Sequence, residues 1–164
     1  MQAYRACRLS LQIASSKSAR YIAVMAKKLD DWHGCPIRYA AAMIGDRWKL
    51  LILRDLALKG AQRYRDFLDA GEGIATNILA SRLTQLEDAG IICRDQDPRN
   101  AARTIYSLTP KGIDLLPTLL AMIAWSARWD PETEIPAGFK RALRSDAKAL
   151  ANEIRGKLPQ FTRE

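Results

Sequence analysis

The sequence predicts a mainly α-helical chain that carries one small β-hairpin. Three observations point there: capped helical segments follow one another closely from Cys35 onward, two strand-like runs flank a polar loop, and a long apolar helix comes after them. A hydrophobic content of 48% over 164 residues supplies a real core and excludes global disorder. The length suits one domain with extensions.

The first helix is announced by Cys35-Pro36. Proline fits the first helical position, where its missing N–H is not needed, so Cys35 becomes the N-cap and IRYAAAMIG runs on to Gly45. DRWKLLILRDLALKG starts at a capping Asp46 and stops at Gly60. Trp48, Leu50, Leu51, Ile52, Leu53, Leu56 and Leu58 point nearly all round it, which predicts burial on several sides. RYRDFLDA, residues 63–70, forms a shorter third helix with Tyr64, Phe67 and Leu68 inward. GEG at 71–73 is a turn, and TNILASRLTQLEDA follows as a fourth helix over 76–89, closed by Gly90.

IICRDQ (91–96) and RTIYSL (103–108) are the two strands, and DPRNAA between them is a polar loop opened by Asp97-Pro98. Thr109-Pro110 repeats the cap-plus-proline start for a long helix over 110–129, with a kink expected at Pro117. Pro131 and Pro136 bracket a linker. Residues 137–158 place Phe139, Leu143, Ala147, Leu150, Ile154 and Leu158 on one stripe of a single amphipathic helix. An isolated hairpin is marginal in water and must lean on the helices. This order of elements is that of a winged helix-turn-helix domain with added dimerisation helices. The expected division is a basic extension over 1–33, the winged domain over 34–130, and a linker with its helix over 131–164.

The net charge of +8 is uneven. Residues 1–29 hold six bases and no acid, whereas the rest of the chain balances 20 bases against 18 acids. Basicity alone is therefore weak evidence for nucleic acid. The N-terminal stretch lacks the continuous apolar run of a secretory signal, and it reads as a disordered or non-native lead, with Met25 an alternative start. No apolar run approaches the roughly 18 residues of a membrane span. Three irregularly spaced cysteines argue against a disulfide framework and for a reducing compartment.

The fourth helix carries the functional signal. With successive residues about 100° apart, Leu79, Leu83 and Leu86 share one line, and Asn77, Ser81, Thr84 and Asp88 the opposite one. Asn77, Ser81 and Thr84 are short neutral hydrogen-bonding groups of the kind that meet base edges, and Thr76 joins them at the helix start. Arg63 and Arg65 precede the helix, while Arg99, Asn100 and Arg103 belong to the 97–103 wing. These five are placed as phosphate contacts. The rival reading is a solvated face on a winged-helix module used for protein contact. On helix 110–129, Leu116, Leu119, Leu120, Ile123 and Trp125 are expected at a two-fold interface.

Cys35 is the one candidate for chemistry. A helix N-terminus and the nearby Arg38 both favour thiolate, so a redox sensor is weighed against an inert, packed cysteine, which is the favoured reading. The single His33 beside Cys35 makes a poor zinc set, and there is no nucleophile–base pair, phosphate loop or cofactor motif. Neither enzymatic activity nor a cofactor is expected.

CP at 35–36, IGDRWKLLILRDL at 44–56, RYRDFLDAGEGIATNILASRLTQLEDAGII at 63–92 and YSLTPKGIDL at 106–115 together resemble the HxlR-type winged helix-turn-helix regulators of the MarR-like superfamily. The resemblance implies a prokaryotic, cytoplasmic, homodimeric transcription factor. Its partners would be a double-stranded DNA operator of two half-sites and an oxidant or small-molecule effector, with no membrane involved. It also permits a thiol-sensing role for Cys35. Two departures stand out. Ala75 replaces the serine usual at the cap of the fourth helix, so Thr76 must cap instead or the helix start is looser, and PRNAARTIYSLT makes an atypical wing approach.

Overall fold

A computed structural model of the chain describes residues 34–97 and 100–159. The basic N-terminal extension, His33 and Arg99 lie outside the described residues. Helix α1 (Pro36–Ile44) has Cys35 at its N-cap and ends at Gly45, as the cysteine-proline pair predicts. Helix α2 (Arg47–Arg54) starts under a working cap, since Asp46 Oδ1 accepts from the N–H groups of Trp48 at 3.0 Å and Lys49 at 3.2 Å. Its last turn widens into a π-helical segment, Asp55–Lys59, before Gly60 ends it at φ +69°. The widened turn brings the buried Asp55 carboxylate against two cations, Arg54 at 2.7 Å and Lys59 at 3.4 Å, and Arg54 also reaches Glu72 in the turn below at 2.8 Å. Hydrophobic periodicity carries no signal for a π turn.

Helix α3 (Tyr64–Leu68) buries Phe67, and α4 (Thr76–Asp88) buries Leu79, Leu83 and Leu86, the predicted line. Strands β1 (Ile92–Asp97) and β2 (Asn100–Leu108) pair antiparallel, Ile92 facing Leu108 and Arg94 facing Tyr106, with a register shift at Gln96/Asp97. The hairpin leans on the helices through the Tyr106 N–H, which donates to the Gln62 carbonyl at 2.7 Å, and through an edge-on contact between Tyr106 and Phe67. Ile91, Ile92, Tyr106 and Leu108 thereby join the leucines of α2 and α4 in one core.

The junction after the hairpin grips the end of α4. Gly90 takes φ +66° while its N–H bonds the Glu87 carbonyl at 2.9 Å and the Ile91 N–H bonds that of Leu86 at 3.0 Å, a Schellman-type stop. Thr109 caps α5 (Pro110–Ile113) and its hydroxyl donates to the Gly90 carbonyl at 2.6 Å. Lys111 Nζ donates to the Ala89 carbonyl at 2.8 Å. Gly112 packs so closely that a Cβ would lie 2.2 Å from the Ile91 carbonyl oxygen.

Three expectations for the C-terminal part are corrected. Pro117 does not kink a continuous 110–129 helix; the helix breaks, and α6 (Leu116–Trp129) starts afresh with Pro117 in its first turn, where no N–H donor is lost. Residues 137–158 are two helices, α7 (Ala137–Ser145) and α8 (Ala147–Lys157), because Asp146 leaves the helical region and caps α8 by accepting from the Ala149 N–H at 2.9 Å. The break turns Ala147 to the surface, out of its predicted stripe. Finally, Leu116, Leu119 and Leu120 are buried inside the chain rather than offered to a partner. Leu116 and Leu119 belong to the main core, and Leu120 packs with Leu143, Leu150 and Ala151 of α7 and α8. The sequence assignment to an interface failed because one long helix in place of α7 and α8 hid the return of the chain over α6.

Gly112→Ala forces the Ile91 carbonyl or the α5 turn to move, and a loss of about 1–3 kcal/mol is expected from such overpacking. Urea unfolding measures it, and an unchanged midpoint would contradict the close approach.

Candidate nucleic-acid interface

Helix α4 is fixed at both ends and along its apolar side, which leaves one face for contact. At its start the N-cap is Ala75, which offers no side-chain acceptor, and Thr76 is the first helical residue rather than the cap. The looser start is compensated from α3: Tyr64 Oη donates to the Thr76 carbonyl at 2.7 Å, tying the two helices together. The first N–H groups of α4 keep no side-chain partner at the cap, so they remain donors at an exposed helix end.

Thr76, Asn77, Ser81 and Thr84 are all exposed, as the helical wheel predicts. Ala80 lies among them, exposed on the same face, and was missed because an alanine carries no polar signal. Its methyl leaves the centre of the face flat and adds an apolar contact of the kind a thymine methyl accepts. Ser81 Oγ accepts from Gln85 Nε2 at 3.2 Å and from Arg82 at 3.5 Å.

Arg82 is the other residue that the helical wheel did not single out. Its guanidinium pairs with Asp46 Oδ2 at 2.9 Å, connecting α4 to the cap of α2. Burial alone would raise the Asp46 carboxyl, but the hydrogen bonds from Arg82 and from the Lys49 and Trp48 N–H groups outweigh it and hold it below the ordinary carboxylate range. Beside it, Lys49 is only 4% exposed and donates to the Met43 carbonyl at 3.1 Å; burial pushes its ammonium below the usual lysine value. A lysine on a helix otherwise rich in leucine gave no hint of being inside.

The cations placed as phosphate contacts are not equivalent. Arg63 pairs with the buried Asp97 at 2.9 Å, bridging the entry to α3 and the end of β1, so part of its charge is already answered. Arg65 is fully on the surface and faces Asp69 at 3.2 Å. Asn100 is exposed and its Oδ1 accepts from the Ala102 N–H at 3.1 Å, which shapes the wing, and Arg103 is exposed on β2. Arg63 and the two wing residues therefore border the α3–α4 unit from the hairpin side.

Two further surfaces accompany this face. Cys35 is exposed and free at the start of α1, whereas Cys93 is buried in β1. On α6, Met122, Trp125 and Trp129 are exposed, the two tryptophans by 66% and 65%, with the Arg128 guanidinium over the Trp129 ring at 5.2 Å; Ile37 and Tyr39 are exposed on α1. Ile123 is half-buried against the cluster formed with α7 and α8. Among the described residues no helix is long and apolar enough to cross a membrane.

A family described as HxlR-like helix-turn-helix matches residues 43–134, more than half of the chain. The chain belongs to this family. It is a helix-turn-helix transcriptional regulator and not an enzyme. Helices α7 and α8, and most of α1, fall outside the matched span. Among its relatives, the HTH-type transcriptional regulator sll1512 of Synechocystis sp. is 41% identical over 97 residues, covering 59% of this chain and 71% of that protein. The solved structure of PA1607 superposes with a TM-score of 0.58 at 33% identity, covering 64% of this chain and 73% of that one. The redox regulator HypR in its oxidised form superposes with a TM-score of 0.53 at 26% identity, covering 62% and 100% respectively. The winged helix-turn-helix fold expected from the sequence is thus the fold of the family.

Because the Asp46 carboxyl is lowered in the folded state, the stability it contributes is present above the ordinary carboxylate value and is lost as pH falls through the lowered one. Asp46→Asn is expected to flatten the decline in urea midpoint between about pH 6 and about pH 3. A parallel decline in both proteins would remove Asp46 from the account.

Proposed function

We propose that the protein acts in the cytoplasm as a homodimer that binds a double-stranded operator of two half-sites, inserting α4 into the major groove of each. The observation that carries this reading is the neutral exposed face of Thr76, Asn77, Ala80, Ser81 and Thr84 on a helix whose other side is fully committed to the core. Asn77 suits a bidentate contact with adenine, and Thr76 and Ala80 suit thymine methyl groups. Arg63, Arg65, Asn100 and Arg103, together with Arg99 of the wing, set the register by contacting phosphates on either side. The exposed tryptophans and Met122 of α6, and the exposed Ile37 and Tyr39 of α1, are the apolar groups that a second copy would cover. A two-fold pair would set its reading helices one DNA turn apart, roughly 34–36 Å.

An oxidant or electrophile acting at Cys35 is the effector this arrangement favours. The thiol is exposed and free, it starts a helix that carries exposed apolar residues, and the similar protein HypR is a redox regulator. Modification there would alter how α1 packs on a partner.

Fluorescence anisotropy of the reduced protein on operator and random duplexes tests the reading. Asn77→Ala is expected to lose about 1–3 kcal/mol of base discrimination. Arg103→Ala should weaken all sequences alike and reduce the salt slope by about one. Equal effects of both changes on operator and random DNA would refute this division of labour, and a folded dimer that ignores DNA at low salt would favour a protein-contact module. Trp125→Glu should shift the dimer to monomer in sedimentation while leaving the helical content unchanged; a persistent dimer would place the interface elsewhere.

A further inference from the structure

We infer that Ser81 is preset as a hydrogen-bond donor by Gln85 and Arg82, and that it makes the operator select against cytosine at the base it meets. The inference rests on the reading of α4 as the helix that enters the major groove. A serine hydroxyl has one donor and two acceptor lone pairs, and by itself it meets a base donor or a base acceptor equally well. Here both acceptor directions are engaged. Gln85, one turn further on, donates from Nε2 at 3.2 Å, and Arg82 donates from its guanidinium at 3.5 Å.

Arg82 cannot rotate away without cost, because Asp46 holds it at 2.9 Å and Asp46 is itself fixed by two backbone N–H groups at the start of α2. Among the described residues the Ser81 hydroxyl makes no bond to the carbonyl one turn back, so its proton is not spent inside the helix. The O–H is left to point outward from an exposed position.

In the major groove guanine, adenine and thymine each present an acceptor, as O6 or N7, as N7, and as O4. Cytosine presents only its N4 donor. A serine with filled lone pairs gains a bond from the first three and meets a donor head-on with the fourth. Gln85 and Arg82 are positioning residues in this scheme, and Ser81 is the contact.

The test is selection of half-sites from a randomised duplex library by the full-length protein, the Ser81→Ala variant and the Gln85→Leu variant, with circular dichroism of each. The expected wild-type result is one position per half-site at which cytosine is disfavoured about three- to tenfold, the range of one net hydrogen bond. Ser81→Ala should abolish the preference at that position alone. Gln85→Leu, which frees one lone pair of Ser81, should admit cytosine there while the other positions keep their preferences. Selected sites whose preferences are all indifferent to Ser81→Ala would overturn the inference and leave the reading of α4 standing. A wild-type preference for cytosine at the Ser81-dependent position would also overturn it. Failure of the wild-type protein to select any sequence would overturn both.

Discussion

The grip of the Thr109–Gly112 segment on the far end of α4 is the constraint on which the rest of the structure depends. A helix that keeps its exposed face open for contact must be held without using that face, so the hold has to come from its ends and its apolar side. At the far end the Schellman-type stop answers the carbonyls of Leu86 and Glu87, and the Thr109 hydroxyl and the Lys111 ammonium answer those of Gly90 and Ala89. The close approach of Gly112 to Ile91 lets α5 sit against the hairpin at the same point. One short segment thus fixes the helix, the strand that leaves it and the helix that follows.

From that fixed end the core orders itself. Leu79, Leu83 and Leu86 are buried against α2, and Ile91 and Ile92 carry the same core into the hairpin. The near end is held more lightly, by the Tyr64 hydroxyl on the Thr76 carbonyl, and the Arg82–Asp46 pair ties the middle of the helix to α2. The pair is partly exposed and adds little by Coulomb attraction alone. Its value is geometric: a planar guanidinium on a carboxylate that is already fixed sets the angle of α4 against α2.

The sequence made the local elements legible wherever capping chemistry and periodicity agreed. Cys35-Pro36, Asp46, Gly60, Gly90 and Thr109-Pro110 all end or start elements where their chemistry requires. It was blind where an outcome depended on distant chain. Nothing local said that residues 137–158 would turn at Asp146, yet that turn brings Leu143 and Leu150 onto Leu120 and removes it from any interface. The same blindness hid Lys49, whose burial depends on the end of α1, and Arg82, whose partner lies 36 positions earlier. The exposed face of α4 was readable because its side chains need no distant partner to point outward.

The charge pattern around α4 argues that specificity outweighs general attraction. Arg63, Arg65, Arg82 and Arg94 lie on or beside α3, α4 and the hairpin, and each faces a carboxylate, of Asp97, Asp69, Asp46 and Glu87. Guanidinium groups so answered contribute less to the sequence-independent, counterion-releasing part of DNA affinity. The described part of the chain is also where the overall charge is most nearly balanced, since the excess of bases lies in residues 1–29. A surface of this kind gains little from phosphates alone, and on the proposed reading a second subunit and the neutral edge of Asn77, Ser81 and Thr84 would supply the difference. Locking arginines into ion pairs costs affinity for random DNA more than affinity for a site that fits, and that difference is what a regulator needs.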